Sequence, residues 1–133
     1  MLNCNRSEAG QLLGHPLHSL RDAIEAGGEI RERGPNLVTV TLGAEGLIAC
    51  SQQGCWHLTP PTVRVVNAVG AGDALVAGMA VGLVRHLPTE ELLCFSQTVA
   101  AATLTHWHAG ALRSEDVPLL LPRVGIRKLE AAR

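Results

Sequence analysis

The stretch Val65-Val66-Asn67-Ala68-Val69-Gly70-Ala71-Gly72-Asp73-Ala74 constrains this chain more than any other. A β-branched run feeds a loop of small residues, which opens directly into a helix. Two glycines let the backbone take conformations closed to other residues and clear side chains from the approach path. The first amides of a helix have no intrahelical partner, and with the helix dipole they form a site for an anion. A carboxylate at that mouth, Asp73, can accept a proton from an attacking hydroxyl. On its four residues alone, Gly-Ala-Gly-Asp is equally well a turn with a helix cap.

The rest of the chain fits an α/β layer structure. Its 133 residues suit one domain. Hydrophobic residues make up 47% and charged residues 17%, a balance that favours a packed core over disorder. Glu8 to Gly14 reads as a short helix stopped by glycine, and Ser19 to Arg33 as a helix weakened at Gly27-Gly28. Leu37 to Leu42, Leu47 to Cys50, Cys55 to Leu58 and Val63 to Val66 read as short strands. The helix Ala74 to Arg85 is apolar nearly all round, which predicts burial. A further helix runs from Pro88 toward Thr105, and Ser114 begins a short one ending near Leu121. Residues 123–133 read as a polar tail.

Several function classes are disfavoured. The net charge is −1, with no basic stripe, and there are two Trp, one Phe and no Tyr, so nucleic acid is not an expected partner. No run reaches the ~18 apolar residues of a membrane span, and the first residues are not a signal peptide. The cytoplasm is the expected compartment, with reduced thiols. This includes Cys50 and Cys55, which could face each other across a hairpin. His106-Trp107-His108 has no third ligand nearby and is not expected to hold a metal.

The string from Asn67 to Gly78 resembles the signature of the ribokinase-like, or PfkB, carbohydrate kinases. Two further motifs lie in that family's order. Thr41-Leu42-Gly43-Ala44-Glu45-Gly46 is similar to its nucleotide-contacting loop, and Asn5-Arg6-Ser7-Glu8 is similar to its Asn-x-x-Glu motif. The resemblance implies ATP and Mg²⁺ as cofactors. It implies that Gly70, Ala71 and Gly72 form the anion hole and that Asp73 is the base. Thr41 to Gly46, with Gly72 and Asn5, would hold the nucleotide, and Glu8 would help place the metal, usually through water. Alone, Asn5 to Glu8 is more simply a helix cap with an acid in its first turn.

Pro60-Pro61-Thr62-Val63 and Ala100 to Leu104 look more like the phosphofructokinase and tagatose-phosphate kinase branch. That implies a sugar phosphate as acceptor. Nucleoside and pseudouridine kinases share much of the pattern. Asn3-Cys4 stands where that branch commonly has Lys-Pro. The implied fold is the C-terminal portion of a three-layer α/β/α structure, residues 1–122 here, without the N-terminal half and its lid. A truncated, non-catalytic nucleotide-binding domain is the alternative. A missing half implies self-association through surfaces left uncovered.

Overall fold

The computed structural model describes residues 1–130. The chain divides into two compact units. One is built on Met1–Leu58 and takes in the chain again from Arg127; the other is Thr59–Ile126.

The first unit carries a mixed sheet. Strand β1 (Leu2–Asn5) runs into α1 (Arg6–Leu13), followed by α2 (Leu20–Glu32), β2 (Leu37–Thr41), β3 (Leu47–Ser51) and β4 (Gly54–Thr59). A last strand, β5 (Gly125–Leu129), lies beside β4, so the spatial order is β1-β2-β3-β4-β5. β1 and β2 are parallel, with Asn5 opposite Thr41, while β2-β3 and β3-β4 are antiparallel. Both faces of β2 and β3 are buried: Val38, Val40, Ile48 and Cys50 on one, Thr39, Leu47 and Ala49 on the other. The β-branched residues Val38-Thr39-Val40-Thr41 suit such a strand, with Thr39 buried like the valines beside it. Ala9, Ala23, Ala26 and Ile30 bring α1 and α2 onto the first of these faces.

Both helices start with reciprocal caps. Asn5 Oδ1 accepts from the Glu8 amide at 2.8 Å, and Glu8 Oε2 accepts from the Asn5 amide at 2.8 Å. Ser19 and Asp22 repeat the arrangement for α2. Gly27-Gly28 does not interrupt α2, because Gly27 is where the helix meets Cys50: a Cβ there lies 3.0 Å from its sulfur.

Four expectations are corrected. Cys50 and Cys55 are not free thiols: they pair across the β3-β4 hairpin and are disulfide-bonded. Cross-strand pairing brings their Cα atoms to 4.2 Å, within bonding reach for a Cys pair. Residues 125–129 are an edge strand rather than tail, with Lys128 Nζ over the Trp56 ring at 5.4 Å. Their basic residues suit an edge that must stay unpaired, which is why they look like tail in sequence. Residues 131–133, the end of the expected tail, lie outside the described residues. The third correction is β1 itself, whose two asparagines hide a strand that parallel pairing with β2 creates.

The fourth concerns Val63 to Val66, which is no strand. In the second unit it is extended coil pinned by α4 (Thr89–Thr103): the amides of Val66 and Asn67 both donate to the Leu104 carbonyl, at 2.7 and 3.2 Å. This unit also holds α3 (Ala71–Val84) and α5 (Asp116–Leu120). α4 is its centre, buried from Ser96 to Thr103, with the Ser96, Thr98 and Thr103 hydroxyls donating to carbonyls three or four residues back. α3 approaches α4 closely at Gly78, where a Cβ sits 2.8 Å from the Ser96 Cα. No helix among the described residues is long and apolar enough to cross a membrane.

Gly78→Ala is therefore expected to cost a net 1–2 kcal/mol or about that, because overpacking against backbone outweighs the gain in helix propensity. Gly28→Ala in α2, where a Cβ meets nothing within 4 Å, is expected to gain about 0.5–1 kcal/mol. Urea unfolding of the pair tests the opposite signs. Asp22 gives a pH signature. Its pKa is lowered, first by the His18 amide and then by the Ser19 hydroxyl and amide. A depressed carboxylate contributes stability above its unfolded pKa of about 3.9 and loses it as pH falls through the folded value. Asp22→Asn should thus unfold at lower urea than the parent at pH 7, and the two midpoints should converge in strong acid.

Candidate functional site

In the first unit, parallel pairing sets the carboxyl ends of β1 and β2 side by side, where α/β folds place their ligands. Asn5 caps α1 there, and Glu8 lies in the first turn. Thr41 ends β2, Leu42 is buried behind it, and Gly43–Glu45 form a single 3-10 turn closed by Gly46. The Leu42 amide donates to the Gly46 carbonyl at 2.8 Å, and the Gly46 amide to the Gly43 carbonyl at 3.0 Å. Gly43 and Gly46 take φ of 61° and 93°, which selects glycine at both. The loop therefore exposes Gly43, Ala44 and Glu45 on a rigid frame.

Two residues hold that frame that were passed over in sequence. Arg6 Nη2 donates to Glu45 Oε1 at 2.9 Å, tying the Asn5–Glu8 motif to the Thr41–Gly46 loop. His57 Nε2 donates to the Glu45 carbonyl at 2.8 Å. Arg6 occupies a variable position of Asn-x-x-Glu, and its partner is 39 residues away, so no local signal marks it.

Glu8 has two oxygens and one structural duty: Oε2 caps Asn5. No cluster of three or more His, Cys, Asp or Glu able to hold a metal exists among the described residues. A single carboxylate such as Glu8 would suit only a cation held mainly by water and other ligands. Cys4 is buried, and its thiol is pushed up to about 11 by burial and then by the Glu8 charge. Asn3 is spent inside the sheet, accepting from the Thr39 hydroxyl at 2.7 Å.

The second unit contains the glycine turn. Gly70 is the N-cap of α3 with φ of 87°, and no side chain caps the helix. Ala71, Gly72 and Asp73 form the first turn. The first helical amide bond is Ala74 to the Gly70 carbonyl, at 2.9 Å. The amides of Gly72 and Asp73 thus have no hydrogen-bond partner among the described residues, as the geometry of a helix start requires. Gly72 does not need positive φ, a correction to the expectation for both glycines; its missing Cβ instead leaves open space. Asp73 is exposed, and its carboxylate has no hydrogen-bond or ion-pair partner among the described residues.

A second segment braces this turn. Asn67 Oδ1 accepts from the Val69 amide at 3.0 Å, while its Nδ2 donates to the Trp107 carbonyl at 2.8 Å. A Cβ on Gly70 would meet the Gly110 amide nitrogen at 3.1 Å. His106 Nε2 pairs with Asp116 Oδ2 at 3.1 Å, holding the same segment to α5. His106 thereby has a carboxylate partner ten residues on, and the pair anchors a loop.

Residues 1–115 match the model of the pfkB family carbohydrate kinases. The chain is 34% identical over 123 residues to a 1-phosphofructokinase of Escherichia coli K12, covering 92% of this chain and 39% of that one. It is similar to a crystal structure of Escherichia coli phosphofructokinase-2 in complex with potassium, with a TM-score of 0.85 and 26% identity, over 91% of this chain and 40% of that one. A ribokinase from Thermotoga maritima shares the fold, with a TM-score of 0.76 and 24% identity, over 90% of this chain and 41% of that one. The chain thus spans about two fifths of the length of the relatives it matches.

Gly70→Ala is expected to cost roughly 1–3 kcal/mol, from left-handed strain and from the contact with Gly110. Gly72→Ala, with helical backbone and open space, should leave the urea midpoint unchanged or slightly raised. Equal losses in the two variants would contradict the geometry of the turn.

Proposed function

Because the chain belongs to the pfkB family of carbohydrate kinases, we propose that it supplies the nucleotide side and the base of an ATP-dependent phosphoryl transfer to a hydroxyl of a sugar phosphate. One observation carries this reading: an exposed, unpartnered Asp73 carboxylate on the first turn of α3, beside free amides at Gly72 and Asp73. In this scheme the acceptor hydroxyl gives its proton to Asp73 as its oxygen bonds to the terminal phosphorus of ATP. The bond from that phosphorus to the bridging oxygen breaks, and ADP leaves. The amides from Gly70 to Asp73 stabilise the charge on the moving phosphoryl oxygens, fixed dipoles that need no reorganisation. Backbone groups of Thr41 to Gly46 receive the nucleotide, and Asn5 lies at the end of β1 next to Thr41. Glu8 is the residue that would help hold a magnesium ion, which when bound would supply neutralisation of phosphate charge. The similarity to 1-phosphofructokinase favours a phosphosugar acceptor over a nucleoside. Use of ATP favours a cytoplasmic setting.

The alternative reading is nucleotide binding without turnover. Thermal shift with ATP, with and without Mg²⁺, and ATP consumption across a panel of sugar phosphates separate the two. A shift without consumption selects the second, and no shift counts against both. Where turnover is present, Asp73→Asn is expected to lower kcat by about 10²–10⁴-fold while the ATP-induced shift persists. Unchanged turnover in that variant would remove Asp73 from the role of base.

A further inference from the structure

The Cys50–Cys55 bond has no part in the phosphoryl transfer proposed above, yet it joins the strand that steadies the Thr41–Gly46 loop. The two residues face each other on β3 and β4, inside a ladder that runs from Leu47 opposite Leu58 to Ser51 opposite Gly54. Main-chain pairing therefore brackets the sulfur bond on both sides. The two sulfurs sit in unequal surroundings. Cys50 is fully buried, and Gly27 of α2 lies so close that a Cβ there would be 3.0 Å from its sulfur. Cys55 is half-buried, at the rim of the same core. When the bond opens, the sulfurs must move apart to van der Waals contact. α2 blocks Cys50, so the displacement falls on Cys55 and β4. His57 lies two residues further along β4 and on the same face. Its Nε2 donates to the Glu45 carbonyl at 2.8 Å, so a turn of the strand that moves Cys55 also moves the support of the loop.

We propose that Cys50 and Cys55 form a redox switch on this loop: bonded, they seat β4 so that His57 holds Glu45; reduced, they release that hold and weaken nucleotide binding. The inference rests on the reading of Thr41–Gly46 as the nucleotide loop and adds its regulation. The exchange partner is a low-molecular-weight thiol–disulfide couple. In reduction a thiolate of that couple attacks the sulfur of Cys55, the more accessible one. The Cys50–Cys55 bond breaks, and Cys50 leaves with the electron pair and takes up a proton. A second thiolate attacks the small-molecule sulfur of the mixed disulfide, and Cys55 leaves and takes up a proton in turn. The net change converts one protein disulfide and two small thiols into two protein thiols and one small disulfide. Oxidation is the reverse. In the cytoplasmic setting proposed above, a disulfide is ordinarily transient, as a switch requires.

The test uses the 133-residue chain with Cys94→Ser, which leaves the buried Cys4 beside the pair. Samples are held in dithiothreitol or in glutathione disulfide, and thiol titration after unfolding is expected to find two fewer thiols in the second. Amide hydrogen exchange is followed at Leu42 and Gly46, which donate to the Gly46 and Gly43 carbonyls and close the loop. Exchange there is expected to be about tenfold or more faster in the reduced chain, with exchange in β1 unchanged. Cys55→Ser, which keeps two unbonded atoms in place of the bond, should match the reduced chain in both buffers. His57→Leu should exchange fast at both amides in either state. The ATP-induced thermal shift is expected to report binding weakened about fivefold on reduction. Equal loop exchange in the two states overturns the inference. So does a redox response that survives in His57→Leu, or one that spreads equally through β1, which marks a general loss of stability. Thiols that glutathione disulfide does not remove overturn it too, as does an ATP-induced shift of equal size in both states. A loop that responds with no ATP-induced shift in either state supports the switch and counts against the nucleotide reading.

Discussion

Asn67 makes one amide serve two segments, and the geometry of the second unit follows from it. Its oxygen closes the turn to Val69 and its nitrogen reaches the Trp107 carbonyl beyond α4. Gly70 must then pass under Gly110 with positive φ, where a side chain has neither the conformation nor the room. α3 begins at that point, so its direction and the aim of its first amides are decided before the helix has made a turn. At its middle, Gly78 against Ser96 fixes the distance to α4. A helix held at its start and its middle presents its free amides rigidly, and only rigid dipoles stabilise charge without paying to reorganise.

The first unit reaches the same end by other means. Its loop at Gly43–Gly46 is short and glycine-rich, a combination that ordinarily brings mobility. Here the loop closes on itself through Leu42 and Gly46 and is tied outward through Glu45, whose carboxylate takes Arg6 and whose carbonyl takes His57. The exposed Arg6–Glu45 pair adds little stability. Its effect is positional: it joins the start of α1 to the loop after β2. Glu8 illustrates a related economy, since a carboxylate with one oxygen in a capping box keeps the other for solvent or a hydrated cation. The cap and the site role are compatible rather than alternatives.

What the sequence determined by itself is what depends on neighbours three or four residues apart. The caps at Asn5 and Ser19, the left-handed stop at Gly14, the strand from Leu37 and the glycine turn opening α3 are local, and all are legible in the string of residues. Tertiary structure decided whatever needs a distant partner. β1 exists because β2 lies alongside it, and β5 because β4 has an edge to cover. Val63 to Val66 is no strand, and the amide at its end, Val66, goes to the Leu104 carbonyl instead. Cys50 and Cys55 bond because the hairpin register puts them opposite each other. The brace on the glycine turn, with Asn67 and Trp107 forty residues apart, belongs to the same class. Local sequence carries the dihedral preferences that start and stop an element. Only the folded chain sets which buried donors meet which acceptors, and here that decided how the motif around Asp73 is held.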